Sequence, residues 1–413
     1  MTHGKGLIVL ALLGVASARA QETAPAGAQN VPVAAAAHLR DEGDRATLSF
    51  DLSAPVAGRA REIVQPDRIV LDMPEVDFRM PPHIGRVVAP KADALVKAFR
   101  FGLFGPGKAR VVIDLARPAC VAKVETRKLS RASQAARLTL ELKACEPNAF
   151  AAAAQDHAPP PAAAQEAPAA PPRPGLPVIV LDPGHGGIDG GAFGVDGAVE
   201  KTLTFAFAQI LRAKLEATKR YQVVMTREND QYVSLEDRVT TGRAVNASLF
   251  VSIHADTLKE AVSVSGTTVY TCSDRASDAE TAHIAERENA VDREAGDERR
   301  AADPGVADIL LDLKRRETRA NGRRFSHGLV AQLGEAGALA HHPERSAGFV
   351  VLKAPDFPSV LIELGFLSNA RDVANLKSDE WRDKTAEAMR AAIDGYFGAP
   401  PPVTAAGPAK PSP

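Results

Sequence analysis

The sequence predicts a multidomain protein. An all-β sandwich occupies the N-terminal half, and an α/β domain with a mostly parallel sheet flanked by helices occupies the C-terminal half. Three observations predict it. Residues 147–175 are mostly Ala, Pro and Gln, a composition that builds no core and reads as an extended linker. Before the linker, apolar and polar residues alternate, as in Thr47-Leu48-Ser49-Phe50-Asp51-Leu52. After it, short β-prone runs alternate with helical stripes. A length of 413 residues accommodates two or three domains.

Taken in order, His3 and Lys5 precede an apolar run from Leu7 to Ala16, and Ala18-Arg19-Ala20 follows it. That pattern predicts a secretory signal peptide over 1–20, cleaved after Ala20. The run is too short to span a bilayer. Residues 21–36 are expected to be disordered, and 37–146 to form the β domain. Strands are expected at 47–52 and at 68–73, the latter after the turn signal Gln65-Pro66-Asp67. The segment Arg45 to Pro55 lines up with Lys108 to Pro118, and 68–73 with 137–142. This repetition predicts two small sheets packed face to face with pseudo-twofold symmetry. The half carries no His/Asp/Glu cluster of catalytic spacing, which points to binding or placement. Phe99, Phe101 and Phe104 are read as core residues, with an aromatic hairpin face as the alternative. Of three cysteines, Cys120 and Cys145 share the β region and are expected to form a disulfide in an oxidising compartment, two buried thiols being the alternative. No cysteine has the C-x-x-C spacing of a structural zinc site.

In the second half, 176–398, strands are expected at 178–181, 221–225, 249–253, 267–270, 349–352 and 359–362. Helices are expected at 203–218, 235–246, 319–336 and 381–397. Residues 399–413 read as a disordered tail. A stretch at about 275–300 breaks the order. It is too rich in charge for a core and predicts a helical insertion on the sheet edge or on the site. Hydrophobic content is 45 %, charged content 24 % and net charge −1, ordinary for a globular protein. No basic field points to nucleic acid, and the mature chain has no expected membrane-spanning segment.

The chemistry concentrates in four contexts: Asp182-Pro183-Gly184-His185-Gly186-Gly187, Val199-Glu200-Lys201, Val251-Ser252-Ile253-His254-Ala255-Asp256 and Leu361-Ile362-Glu363-Leu364. In three of them a polar side chain directly follows an apolar strand, as open α/β sheets present chemistry at strand ends. Two histidines and one carboxylate are a recurrent ligand set for catalytic zinc, leaving one position open for water. Glu363 is then placed to move a proton in amide hydrolysis. In isolation Glu363 also reads as a structural ion-pair member and Glu200 as a solvated loop residue. An Asp182–His185 pair of a serine hydrolase is the other reading, but no G-x-S-x-G elbow accompanies it.

The four contexts resemble, over roughly 176–398, the zinc-dependent N-acetylmuramoyl-L-alanine amidases of bacterial cell division. The resemblance implies His185, Glu200 and His254 as ligands of one zinc ion and Glu363 as the catalytic glutamate. It implies cleavage between N-acetylmuramic acid and the L-alanine of the stem peptide in peptidoglycan, for septum splitting and daughter-cell separation. It also implies a periplasmic protein enriched at the septum. The half before the linker is similar to the AMIN domain, a β module that targets such amidases to peptidoglycan. In the cell-division members a helix between the second histidine and the glutamate strand blocks the cleft until an activator displaces it. Ile284 to Ala290 resembles that helix. This implies Glu288, with Glu286 as runner-up, in the open zinc position, and a LytM-type activator protein as partner; a solvated helix face is the alternative. The other functional readings are a catalytically inactive peptidoglycan-binding protein and a zinc peptidase acting within the stem peptide.

Overall fold

Strands with one apolar face need a second sheet to cover it, and the N-terminal half supplies both sheets. The computed structural model describes residues 31–85, 92–156, 175–258, 263–297, 309–337 and 339–398. The expected signal peptide, most of 21–36, linker residues 157–174 and the tail at 399–413 lie outside the described residues.

The first nine strands are β1 (Val33–Asp41), β2 (Arg45–Leu52), β3 (Arg59–Ile63), β4 (Arg68–Pro74), β5 (Asp77–Phe78), β6 (Val96–Gly105), β7 (Lys108–Leu115), β8 (Ala119–Lys128) and β9 (Ala136–Ala144). They form one sheet of order β5-β1-β2-β9-β8 and another of order β3-β4-β7-β6. Phe50, Leu71, Phe99, Val111 and Leu140 lie in the one core between them. The internal repeat is visible in the topology. β2 and β7 are equivalent, as are β4 and β9, yet β2 pairs with β9 and β4 pairs with β7. Each repeat therefore lends one hairpin to each sheet. Cys120 and Cys145 are bonded to each other.

Two boundaries differ from expectation. β1 starts at Val33, inside the segment expected to be disordered. Its alanines give little apolar alternation, and pairing with β2 supplies the order. Residues 147–156, assigned to the linker, form helix α1 (Pro147–Asp156). Alanine is the best helix former and Pro147 is tolerated in the first turn. The single buried side chain, Phe150, docks the helix onto the sandwich core.

The C-terminal sheet contains β10 (Val178–Pro183), β11 (Gln222–Met225), β12 (Leu249–His254), β13 (Thr267–Cys272), β14 (Leu339–Ala347) and β15 (Ser359–Glu363), in the order β11-β10-β12-β15-β13-β14. The first four of that order are mutually parallel, whereas β13 runs antiparallel to β15 and β14 follows β13. Helices α2 (Glu200–Ala217), α6 (Ile309–Ala336) and α8 (Asp379–Tyr396) cover one face, packing Phe207, Phe325 and Ile393 against Leu181, Val251 and Ile362. On the other face α3 (Leu235–Ala244) and α4 (Ala279–Glu288) pack Val239 and Ile284 against Val180, Phe250 and Leu361. α4 starts where the Asp278 carboxylate accepts the Thr281 N–H at 2.8 Å, an N-cap. The short α5 (Val291–Glu294) follows it, and α7 (Ala370–Lys377) precedes α8.

One expected strand is absent. The apolar run at 349–352 is mainly a 3-10 turn, Val350–Leu352, that buries Val351 and Leu352 without a ladder. The strand of that region is β14, whose sequence is polar because it sits at the sheet edge and is covered on one side only.

Candidate metal and catalytic centre

β10, β12 and β15 are adjacent and parallel, so the residues at their carboxyl ends meet at one edge of the sheet. His254 closes β12 in register with Glu363, which closes β15. His185 stands two residues beyond β10. Glu200 is the first residue of α2, the end at which the helix dipole favours an anion. The sequence-predicted residues are thus brought together from four separate segments.

Their polar atoms converge. His185 Nε2 lies 3.1 Å from Glu200 Oε2, and His254 Nδ1 lies 3.2 Å from Glu200 Oε1. Glu200 is fully buried and also accepts the N–H groups of Ala192 at 2.8 Å and Ala255 at 2.9 Å. Burial alone would lift its carboxyl, but His185 and His254 outweigh burial and hold it well below its ordinary value. Burial opposes the charge on His185, and Asp189, Glu200 and Glu288 overcome it, so its proton affinity is raised. His185 Nε2 is buried and makes no hydrogen bond among the described residues. A set of two imidazoles and a carboxylate with such an atom can hold a divalent cation.

The support of the His185 loop was not legible in the motif. Asp189 Oδ2 lies 2.7 Å from His185 Nδ1 and so directs Nε2 inward. The only sequence signal was an acid four residues after the histidine. His185 itself has φ 60°, a left-handed conformation that costs a non-glycine residue about 1–2 kcal/mol. Two buried arginines pin the carbonyls around it. Arg227 donates to Pro183 O at 3.0 Å and Gly184 O at 3.2 Å, and Arg238 to Pro183 O and His185 O, both at 3.0 Å. Burial, with Arg238 nearby, pushes the Arg227 guanidinium down to about 10. Asp182 is not a partner of His185. It accepts from Arg238 at 2.7 Å, Thr226 at 2.6 Å and Ser252 at 2.7 Å, which removes the serine-hydrolase pairing. Glycines allow the close fit. A Cβ at Gly184 would stand 2.4 Å from the His254 ring, and one at Gly191 would stand 2.6 Å from Glu200 Oε2.

Glu363 is fully buried, and its Oε2 accepts the Asp256 N–H at 2.9 Å. Its Oε1 has no hydrogen-bond partner among the described residues. Burial, with the carboxylates of Glu200 and Glu288, lifts its proton affinity well above the ordinary value.

The charged insertion reaches the same place. Glu288 Oε2 lies 3.2 Å from His254 Nδ1 and 3.6 Å from His185 Nε2, and ligand atoms of these three residues fall within 4.8 Å of one another. Burial raises the Glu288 carboxyl against the pull of His254 and His185. Next to it, Arg287 forms an ion pair with Asp256 and donates to Thr257 O at 2.9 Å, tying α4 to the end of β12. Glu286 is exposed and stands away from the centre. Helical spacing distinguishes the two: Thr281, Ile284, Ala285 and Glu288 form the buried stripe of α4, and Glu286 is off it. A cleft of about 840 Å³ opens beside His185, Glu200 and Glu288.

The chain is similar to known proteins. The family described as N-acetylmuramoyl-L-alanine amidase matches residues 179–395, and the AMIN domain matches residues 36–142. The chain is 36 % identical over 221 residues to the N-acetylmuramoyl-L-alanine amidase AmiC of Escherichia coli O6:H1, covering 53 % of this chain and 52 % of that one. It is 35 % identical over 221 residues to AmiA of Escherichia coli K12, covering 53 % and 76 %. The solved structure of AmiC2 of Nostoc punctiforme aligns at 26 % identity with a TM-score of 0.39, over 54 % of this chain and 97 % of that chain. The match thus spans about half the length of AmiC. Since the amidase family accounts for more than half of the residues, the chain belongs to the N-acetylmuramoyl-L-alanine amidases, with an AMIN domain ahead of the amidase domain.

Proposed function

We propose that the protein hydrolyses the amide bond between N-acetylmuramic acid and the L-alanine of the stem peptide in peptidoglycan, with one zinc ion held by His185, Glu200 and His254. One observation carries the reading: two imidazole nitrogens converge on a buried carboxylate at 3.1 and 3.2 Å, beside a buried glutamate with an unbonded oxygen. The donors fit zinc. His185 Nε2 and His254 Nδ1 face the two oxygens of Glu200 at 3.1 and 3.2 Å and Glu288 Oε2 at 3.6 and 3.2 Å, a set of nitrogen and carboxylate donors of the kind zinc takes. Bound there, zinc supplies polarisation of the scissile carbonyl and acidification of water.

The chain's own groups do the rest. Asp189 keeps the His185 ring oriented. Glu363, fixed through Oε2 by the Asp256 N–H, uses Oε1 to take the proton of the attacking water and return it to the leaving nitrogen of L-alanine. The cleft beside His185 receives the glycan and peptide on the two sides of the bond.

Glu288 acts as a lock in this reading. Its carboxylate stands against both imidazoles that would hold the zinc, and the resting protein is closed until a LytM-type activator protein draws α4 away. Peptidoglycan lies outside the cytoplasmic membrane, and the Cys120–Cys145 bridge suits an oxidising compartment. The protein is accordingly assigned to the periplasm and, through its AMIN domain, to the septum, where it separates daughter cells. Among the described residues no helix is long and apolar enough to cross a membrane.

The test is digestion of isolated peptidoglycan by the zinc-loaded chain, parent and Glu288→Ala, with products read by mass spectrometry. Intact stem peptides beginning with L-alanine are expected, more from Glu288→Ala than from the parent. Cleavage inside the stem peptide, or no products from either protein with zinc bound, refutes the assignment.

A further inference from the structure

The outer face of the β3-β4-β7-β6 sheet is covered by the insertion that carries Glu288. Arg68 on β4, Arg100 on β6 and Arg110 on β7 project from this face. Arg68 Nη1 donates to Arg293 O at 2.6 Å, Arg100 Nε to Glu294 O at 3.0 Å and Arg110 Nη1 to Gly296 O at 2.8 Å. These carbonyls lie at and just beyond the C-terminal end of α5, where a helix leaves acceptors unsatisfied and favours cations. Carboxylates hold the arginines in place. Asp114 accepts from Arg68 and from Arg100, both at 2.6 Å, and Asp72 accepts from Arg110 at 2.5 Å.

Apolar contacts complete the joint. Val70 and Val112 of the sheet pack with Ala295, Ile188 and Tyr232. Phe104 stacks on Tyr232 with ring centroids 5.1 Å apart, and the Tyr232 hydroxyl donates to Asp292 at 2.6 Å. Leu103 O accepts the Ile188 N–H at 3.0 Å, three residues after His185. One sheet face therefore grips both the segment behind Glu288 and the loop behind His185. The joint relies on a few arginine–carbonyl bonds around a small apolar patch, the kind of intramolecular interface that separates reversibly.

We propose that the AMIN domain is the latch of the lock: its Arg68–Arg100–Arg110 face holds α5 in place and so keeps Glu288 in the metal centre. The site opens when this face lifts from residues 291–296. This rests on the reading of Glu288 as the blocking residue. By linkage, whatever draws α4 away also loosens the AMIN domain, and whatever pulls the AMIN domain off the insertion favours the open site.

The test uses the full chain. In Arg68→Ala/Arg100→Ala/Arg110→Ala, hydrogen exchange of residues 279–297 and dye release from labelled peptidoglycan should each rise about tenfold, as expected for a shifted closed–open equilibrium. Gly102→Ala reaches the same joint without removing a charge, since a Cβ there would stand 2.4 Å from the Gly187 backbone. It should give the same rise in exchange and serves if the arginine variant fails to fold. Exchange of 279–297 at the parental rate in a folded Gly102→Ala protein overturns the latch. Glu288→Ala separates the two ideas. If it raises dye release while the arginine variant does not, the latch is wrong and the lock stands. If it leaves release unchanged, the lock fails, and the exchange data alone decide whether the face holds α5.

Discussion

Arg238→Met asks how much of the centre's order depends on one buried ion pair. Arg238 is 3 % exposed and donates to Asp182 at 2.7 Å and to the carbonyls of Val233, Pro183 and His185 at 3.0 Å each. Methionine keeps the apolar stem but leaves the fully buried Asp182 with two hydroxyl donors and no cation bonded to it. Removing one partner of a buried pair costs about 3–5 kcal/mol. At about 2–4 °C per kcal/mol for a domain of this size, Tm should fall by roughly 6–20 °C. The pH dependence has a definite sign. In the parent, burial would raise the Asp182 carboxyl, but Arg238 and the hydroxyls outweigh burial and hold it below its ordinary value. That group stabilises the fold above its unfolded pKa of about 3.9 and loses its contribution as pH falls through the folded value. Without Arg238, burial raises the carboxyl, so the variant is penalised at neutral pH and relieved on acidification. The Tm gap between parent and variant should be widest near pH 7 and narrower near pH 5, by differential scanning calorimetry. Adding Asp182→Asn should recover part of the loss. A drop under about 2 °C, or a gap that does not narrow, refutes the reasoning.

Glu363→Gln should lose on the order of 10²–10⁴ in hydrolysis while retaining zinc by elemental analysis; loss of the metal would make Glu363 a ligand instead. Asp189→Ala should weaken zinc binding about 10–100-fold in a chelator competition, because His185 loses its orienting partner. Cys120→Ser/Cys145→Ser opens a cross-link between residues 25 apart. It should destabilise the N-terminal sandwich by about 3 kcal/mol in denaturant titration, with no change in zinc content.

The candidate site was legible where chemistry and local pattern coincide. His185, His254 and Glu363 each follow an apolar run, and the parallel order of β10, β12 and β15 brings those run ends together. What was not legible depends on tertiary contact. Arg227 and Arg238 look like ordinary solvated cations in sequence, and only the fold shows them buried under the His185 loop. Phe104 read as core, yet it stacks on Tyr232 of the other domain, a contact no period in its own strand encodes. β14 escaped because its His341, His342, Glu344 and Arg345 suit an edge and erase the apolar alternation. α1 escaped because an alanine-rich stretch between prolines has linker composition, and Phe150 alone decides that it docks.

The exchange of hairpins between the two repeats bears on how the chain can be made. A protein ending after the first repeat would present β2 and β4 as open edges, since their ladder partners β9 and β7 come later in the chain. Open edges invite strand addition from other molecules. Residues 31–85 alone should therefore aggregate rather than form a half-domain, and the sandwich should close slowly, because β2 waits for a partner near residue 140. A viable excision of this domain begins before β1 and ends after α1, with no cut tolerated between the repeats.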